Sequence, residues 1–230
     1  MGKESAERIQ TSILSKAEKK ALVWLAQRQP EWMTSDTLTY IGVLGTVVYA
    51  IGGWLSNTDI RYLWLSSFGL VLHWYGDSLD GTLARFRNTQ RPIYGLFIDH
   101  TLDAVTTCLI FLGAGLSPMF RMDVALAALA GYLSLSIYTY VCTIVKEEFC
   151  LTYGKLGPTE FRLLLILLNI LYMYTSWSEW RINWYGLEWG IFDILGIIIT
   201  IILFSIYIAQ FIKDRAAFAK QDPLKPHNKR

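Results

Sequence analysis

Ile191-Phe-Asp-Ile-Leu-Gly-Ile-Ile-Ile-Thr-Ile-Ile-Leu-Phe-Ser-Ile-Tyr-Ile-Ala-Gln-Phe211 runs 21 residues with a single charge, Asp193. About 20 residues of helix cross a bilayer, so this stretch alone suffices for one span. Five further apolar segments precede it: Leu38–Leu55, Tyr62–Leu79, Gly95–Leu116, Val124–Val145 and the shorter Phe161–Tyr174. The aromatic Trp177–Trp180 region can extend the last of these. Pro, Gly and charge gather at the joints.

The composition agrees. The 230 residues are 53% hydrophobic and 17% charged, with mean hydropathy +0.33. A soluble domain carries about 25% charge, and no basic block is dense enough to track nucleic-acid phosphates. The aromatic content (9 Trp, 13 Tyr, 11 Phe) suits belts at two membrane interfaces. Cys108, Cys142 and Cys150 lack ligand spacing and read as small core residues. The expected fold class is all-α, a polytopic membrane protein of six transmembrane helices.

Of the 21 Lys and Arg, only Arg61, Arg121 and Arg181 fall on one side of these spans. The positive-inside bias therefore expects both termini in the cytoplasm. The first 30 residues are polar and mixed in charge, with no cleavable signal, so the first span must target the chain. Ile13, Leu14, Ala17, Ala21, Trp24 and Leu25 recur at helical spacing among Lys16, Lys19, Lys20 and Arg28. That pattern fits an N-terminal amphipathic helix on the cytoplasmic leaflet, or one packed on its own protein. The division expected is a cytoplasmic N-terminal segment over 1–37, the membrane domain over 38–212, and a polar cytoplasmic tail over 213–230 that ends disordered.

The chemistry lies where carboxylates enter the membrane. Asp77 and Asp80 stand at i, i+3 near the end of the second span. Gly95, Asp99 and Asp103 follow at i, i+4, i+8 on the third. At 1.5 Å per residue, Asp80 lies roughly 7 Å inside Arg85, and Asp99 roughly 10 Å beyond Pro92. A short joint makes the two helices antiparallel neighbours, so all four acids share one depth near the cytoplasmic surface. Four carboxylates in one pocket repel unless cations lie between them. An all-oxygen set suits a hard divalent cation, and a two-metal clamp on a transferring phosphoryl group would use it. The alternative is a structural network with Arg85, Arg87 and Arg91.

Asp77-Ser-Leu-Asp80-Gly81-Thr-Leu-Ala84-Arg85, nine residues, then Gly95-Leu-Phe-Ile-Asp99-His-Thr-Leu-Asp103 resembles the CDP-alcohol phosphotransferase signature at all eight fixed positions. The resemblance extends over the whole chain, since that family has six spans and a membrane-lying N-terminal helix. It implies attack of an alcohol hydroxyl on a CDP-linked alcohol, with loss of CMP. It implies Asp77, Asp80 and Asp99 as ligands of Mg²⁺ or Mn²⁺, two ions in all, and Asp103 as ligand, base or both. It also suggests a homodimer. Gly81 and Ala84 lack bulk where a nucleotide must approach, and Arg85 is a natural phosphate fork or an interface anchor.

Two features look like the choline/ethanolamine branch of that family. His100 follows Asp99, and Thr159-Glu160 follows a Tyr153-Gly-Lys-Leu-Gly157-Pro158 turn. In that branch such a His and Glu act as base and orienter. Otherwise Glu160 only favours a helix N-terminus, and His100 only braces Asp99. Near the first span the family has Pro-Asn-x-x-Thr, where this chain reads Ser35-Asp36-Thr37-Leu38-Thr39. Thr39 fits and Asp36 departs. The reading is transfer from CDP-ethanolamine or CDP-choline to diacylglycerol at a cytoplasmic site. Its rival is a CDP-diacylglycerol donor with a small polar alcohol or alcohol-phosphate acceptor, held by Lys146, Lys155 and Arg162. A divalent-cation transporter would place its acids at the midplane, between broken half-helices. A catalytically dead lipid-binding scaffold would not keep every metal-binding position.

Overall fold

The computed structural model describes residues 15–146 and 158–223. The helices are α1 (Ser15–Ala26), α2 (Ser35–Leu55), α3 (Leu63–Phe86), α4 (Pro92–Leu116), α5 (Met122–Lys146), α6 (Pro158–Tyr174) and α7 (Ile191–Gln221). All six apolar segments are helical. Among the described residues four helices, α2, α4, α5 and α7, are long and apolar enough to cross a membrane. The other two, α3 and α6, are 24 and 17 residues long.

Local sequence sets the helix ends. Thr34 caps α2, its Oγ1 accepting from the Thr37 N–H at 3.1 Å. Pro92, which lacks an N–H, opens α4 where none is needed. Buried Asp193 serves two chains of backbone at once. Its carboxylate accepts from Gly190 N–H at 2.8 Å and from Arg121 N–H at 2.7 Å, fixing α7 to the start of α5.

Glycine decides the central contact. A Cβ on Gly76 would lie 2.2 Å from the Gly42 nitrogen, and one on Gly69 would lie 2.4 Å from the Tyr49 nitrogen. Backbone therefore touches backbone along α2 and α3, the close approach that small residues permit between helices in lipid. α4 packs on α2, α5 on both α4 and α7, and α6 on α3. The core between them holds Tyr49, Leu63, Leu70, Ile110, Leu165, Leu168 and Phe192. Within it Asn169 of α6 donates to Ser67 Oγ at 3.0 Å, and Ser67 to Leu63 O at 2.9 Å.

Three expectations meet the structure, and one of them changes. α1 packs on α3, with Leu22 and Ala26 buried against Leu79 and Leu83, while Trp24 stays exposed. Ile13 and Leu14 lie outside the described residues. The Trp177–Trp180 region does not extend α6 as an α-helix. Thr175 accepts from Trp177 N–H and turns the chain into a single 3₁₀ turn, Ser176–Ser178. An antiparallel hairpin follows, β1 (Arg181–Trp184) and β2 (Leu187–Gly190). Its two-residue turn takes Tyr185 and Gly186 at φ 51° and 73°, the conformation whose twist suits paired strands. The residues after Lys213 continue α7 to Gln221, and the end of the tail, 224–230, lies outside the described residues. Asp214 accepts from Lys146 Nζ at 2.9 Å and from the Tyr138 hydroxyl, so α5 holds that extension in place.

Candidate active site

Three helices converge on one small pocket. Thr39, Gly42 and Val43 of α2, His73 and Asp77 of α3, and Asp99, Leu102, Asp103 and Thr106 of α4 line it. Three of the four aspartates are thus brought together. Asp80, one turn along α3 from Asp77, joins the site through Thr39, whose hydroxyl donates to its Oδ2 at 2.6 Å. Its other oxygen accepts from Gly81 N–H. Asp99, His100 and Asp103 can each offer a donor atom within 4.8 Å of the other two. That donor set fits a divalent cation, with the imidazole beside the two carboxylates.

His100 Nδ1 lies 3.8 Å from Asp99 Oδ2, and its ring stacks on Tyr140 of α5 at 4.6 Å and 25°. Glu160 sits part-buried in the first turn of α6. Its neighbour Thr159 donates to Glu18 of α1, which also accepts from Trp74 Nε1 at 2.9 Å. The Tyr153–Gly157 part of the preceding turn, with Lys155, lies outside the described residues, as does Cys150. Cys108 and Cys142 are free thiols in helix packing.

The two motif glycines open the site. A Cβ on Gly95 would meet nothing of this chain within 4 Å, and one on Gly81 only the Arg85 guanidinium, at 3.4 Å. Neither glycine is required by the packing of these helices, which leaves bare backbone for a ligand to approach. Part-buried Ala84 continues that face of α3. Arg85, exposed at the end of α3, donates to Thr82 at 3.2 Å.

The arginines divide differently from a network of Arg85, Arg87 and Arg91 with the four acids. Arg87 donates to the carbonyls of Gln29, Pro30 and Met33 in the α1–α2 joint. Arg91 pairs with Asp36, which gives that departure from the family pattern a partner across the entrances of α2 and α4. The arginine that reaches the cluster is Arg162. Its side chain, 8% exposed, donates to Asp77 Oδ2 and to His73 Nε2. Arg162 and Lys146, two of the three residues assigned to a basic acceptor pocket, thus pair with Asp77 and Asp214. His73 lies outside the signature; its one signal in the sequence is an ionisable side chain inside an apolar run, four residues before Asp77.

Comparison with known proteins follows the same line. The family described as CDP-alcohol phosphatidyltransferase matches residues 32–210. Cholinephosphotransferase 1 of Gallus gallus is 26% identical over 189 residues, covering 76% of this chain and 54% of that protein. Its namesake in Danio rerio is 29% identical over 189 residues, covering 76% and 48%. A phosphatidylinositol phosphate synthase of Cutibacterium acnes is 36% identical over 88 residues, covering 36% and 38%. The chain spans about half the length of the cholinephosphotransferases it matches.

Proposed function

Because this chain belongs to the CDP-alcohol phosphatidyltransferase family, we propose that it moves a phospho-alcohol group from a CDP-alcohol to a hydroxyl acceptor in a membrane. The observation that carries this is the meeting of Asp77, Asp99 and Asp103 in one pocket, with Asp80 tied in by Thr39. Asp77, Asp80, Asp99 and Asp103 would hold Mg²⁺ or Mn²⁺, two ions together. Bound there, divalent cations neutralise the pyrophosphate and the charge gathering on departing CMP.

The chain's own groups do the rest. The acceptor oxygen attacks the phosphorus that bears the donor's alcohol, the bond to CMP breaks, and the hydroxyl proton passes to a base. His100 takes that proton, its ring held by Tyr140 and oriented with the help of Glu160; Asp103 is the alternative base. Gly81, Ala84 and Gly95 admit the nucleotide, and Arg85 forks its phosphate. Thr39 keeps Asp80 aimed.

The donor is CDP-choline or CDP-ethanolamine and the acceptor diacylglycerol, by likeness to the cholinephosphotransferases. The match to a phosphatidylinositol phosphate synthase favours the second reading, a CDP-diacylglycerol donor. Against it, Arg162 and Lys146 are occupied by Asp77 and Asp214. All six of α2–α7 cross the bilayer, α3 at about 36 Å and α6 at about 26 Å of helix, with α1 on the cytoplasmic leaflet and the site facing the cytoplasm. The enzyme acts as a homodimer. Purified protein given Mg²⁺ should release CMP when labelled CDP-choline or CDP-ethanolamine is offered with diacylglycerol, and labelled CDP-diacylglycerol is tried beside them with small polar alcohols and alcohol phosphates as acceptors. Release only from CDP-diacylglycerol would reverse the donor, and release from none would refute the transferase.

A further inference from the structure

Arg162 has two neighbours that constrain each other. A guanidinium can only donate, so the hydrogen bond between Arg162 Nη2 and His73 Nε2, 3.1 Å long, requires Nε2 to be the bare nitrogen. The proton then sits on Nδ1, which donates to Gly42 O at 3.1 Å. His73 is 4% exposed and Arg162 6%, so water contributes little to either. Gly42 in turn lies against Asp77, where an added Cβ would stand 3.1 Å from the Asp77 nitrogen. The chain Gly42 O, His73, Arg162, Asp77 Oδ2 thus links three helices and ends on a carboxylate of the pocket.

We propose that His73 and Arg162 are positioning residues for Asp77: His73 fixes the rotation of the guanidinium, and the guanidinium fixes one carboxylate oxygen. The inference rests on the reading of Asp77 as a cation ligand. Partners that orient a ligating side chain commonly contribute 10–100-fold, as a rough range, to metal affinity. Arg162 cannot settle elsewhere, since Ser78 Oγ, 3.4 Å from its other nitrogen, and His73 hold it from two sides. The planar fork is needed to reach His73 and Asp77 together, which a lysine ammonium does not do.

The test is Mn²⁺ binding to the purified full chain in detergent, read by electron paramagnetic resonance without turnover. His73→Leu should weaken binding by roughly 10–100-fold, and His73→Gln, which keeps an acceptor for Arg162, should recover most of that loss. Asn169→Leu, buried on α6 with Arg162 but hydrogen-bonded to Ser67, should lower the unfolding temperature and leave Mn²⁺ affinity unchanged. If His73→Leu does not fold, Arg162→Lys replaces it, with a loss of roughly tenfold expected. Asp77→Asn separates the two ideas. Loss in Asp77→Asn with wild-type affinity in His73→Leu, or in Arg162→Lys where that stands in, overturns the positioning role alone. Wild-type affinity in both overturns Asp77 as a ligand as well, and equal loss in Asn169→Leu makes the effect general and overturns the proposal.

Discussion

Thr39 of α2 donates its hydroxyl hydrogen to Asp80 Oδ2 of α3 at 2.6 Å, across 41 residues of sequence. A hydrogen bond to a charged group contributes about 1.5–3 kcal/mol. Thr39→Val should therefore lower kcat/KM by about 10–100-fold, and Thr39→Ser should restore most of it. Initial rates of CMP release measure both.

Removal of divalent metal should abolish turnover, and added Mg²⁺ or Mn²⁺ should restore it. Asp99→Ala and Asp80→Ala should not recover at any metal concentration. Activity that survives excess chelator would refute the use assigned to the four carboxylates.

His100→Ala should slow turnover by about 10²–10⁴-fold, the usual range for loss of a general base. Glu160→Gln should cost less, and the double variant little more than His100→Ala, because paired groups act as a unit. Near-normal turnover in His100→Ala would move the base to Asp103.

Gly76→Ala places a methyl carbon 2.2 Å from the Gly42 nitrogen, against backbone that cannot rotate aside. Overpacking of this kind costs about 1–3 kcal/mol. Thermal unfolding in detergent should fall accordingly, with activity falling further because Asp77 is the next residue. Gly95→Ala meets open space inside a helix and should raise stability by about 0.5–1 kcal/mol while weakening CDP-alcohol binding.

Arg87 gathers the carbonyls of Gln29, Pro30 and Met33, so Arg87→Ala should release the α1–α2 joint. Limited proteolysis near residues 27–34 should speed up. Arg87→Lys should not rescue it, since the three donors of an ammonium sit on one nitrogen and cannot span the carbonyls of Gln29, Pro30, Glu31 and Met33 that the two terminal nitrogens of the guanidinium reach.

The six helical segments were legible because apolar runs about 20 residues long have few other uses. The carboxylate spacing was legible because i, i+3 and i, i+4 fix a helical face without any tertiary knowledge. Arg162 was not. It stands 85 residues from Asp77, and only the packing of α6 on α3 makes them partners. In the sequence its positive charge groups with Lys146 and Lys155 as a basic acceptor pocket. The hairpin was hidden for another reason: Trp180, Trp184 and Trp189 look like an interfacial belt, and the turn rests on the φ of Tyr185 and Gly186. The extension of α7 depends on Asp214 meeting α5, again a long-range pairing that composition does not carry.

Backbone contact between α2 and α3 makes one jaw of the site an anvil. With Gly42 against Gly76 and Tyr49 against Gly69, rolling or sliding of α3 would drive main chain into main chain. The opposite jaw, α4, meets α2 backbone to backbone at its far end, where a Cβ on Gly53 would lie 2.3 Å from Gly113 O, while residues 91–97 at its entrance are exposed and Gly95 faces open space. Spin-label distances from α2 to α3 should stay fixed when nucleotide is added, whereas those from α2 to the first turn of α4 should shorten. The asymmetry sets a direction for substrate entry. If the site takes its substrates as proposed, they meet a stationary wall on α2 and α3, and the side that can yield is the entrance of α4, tied to α2 through the Arg91–Asp36 pair.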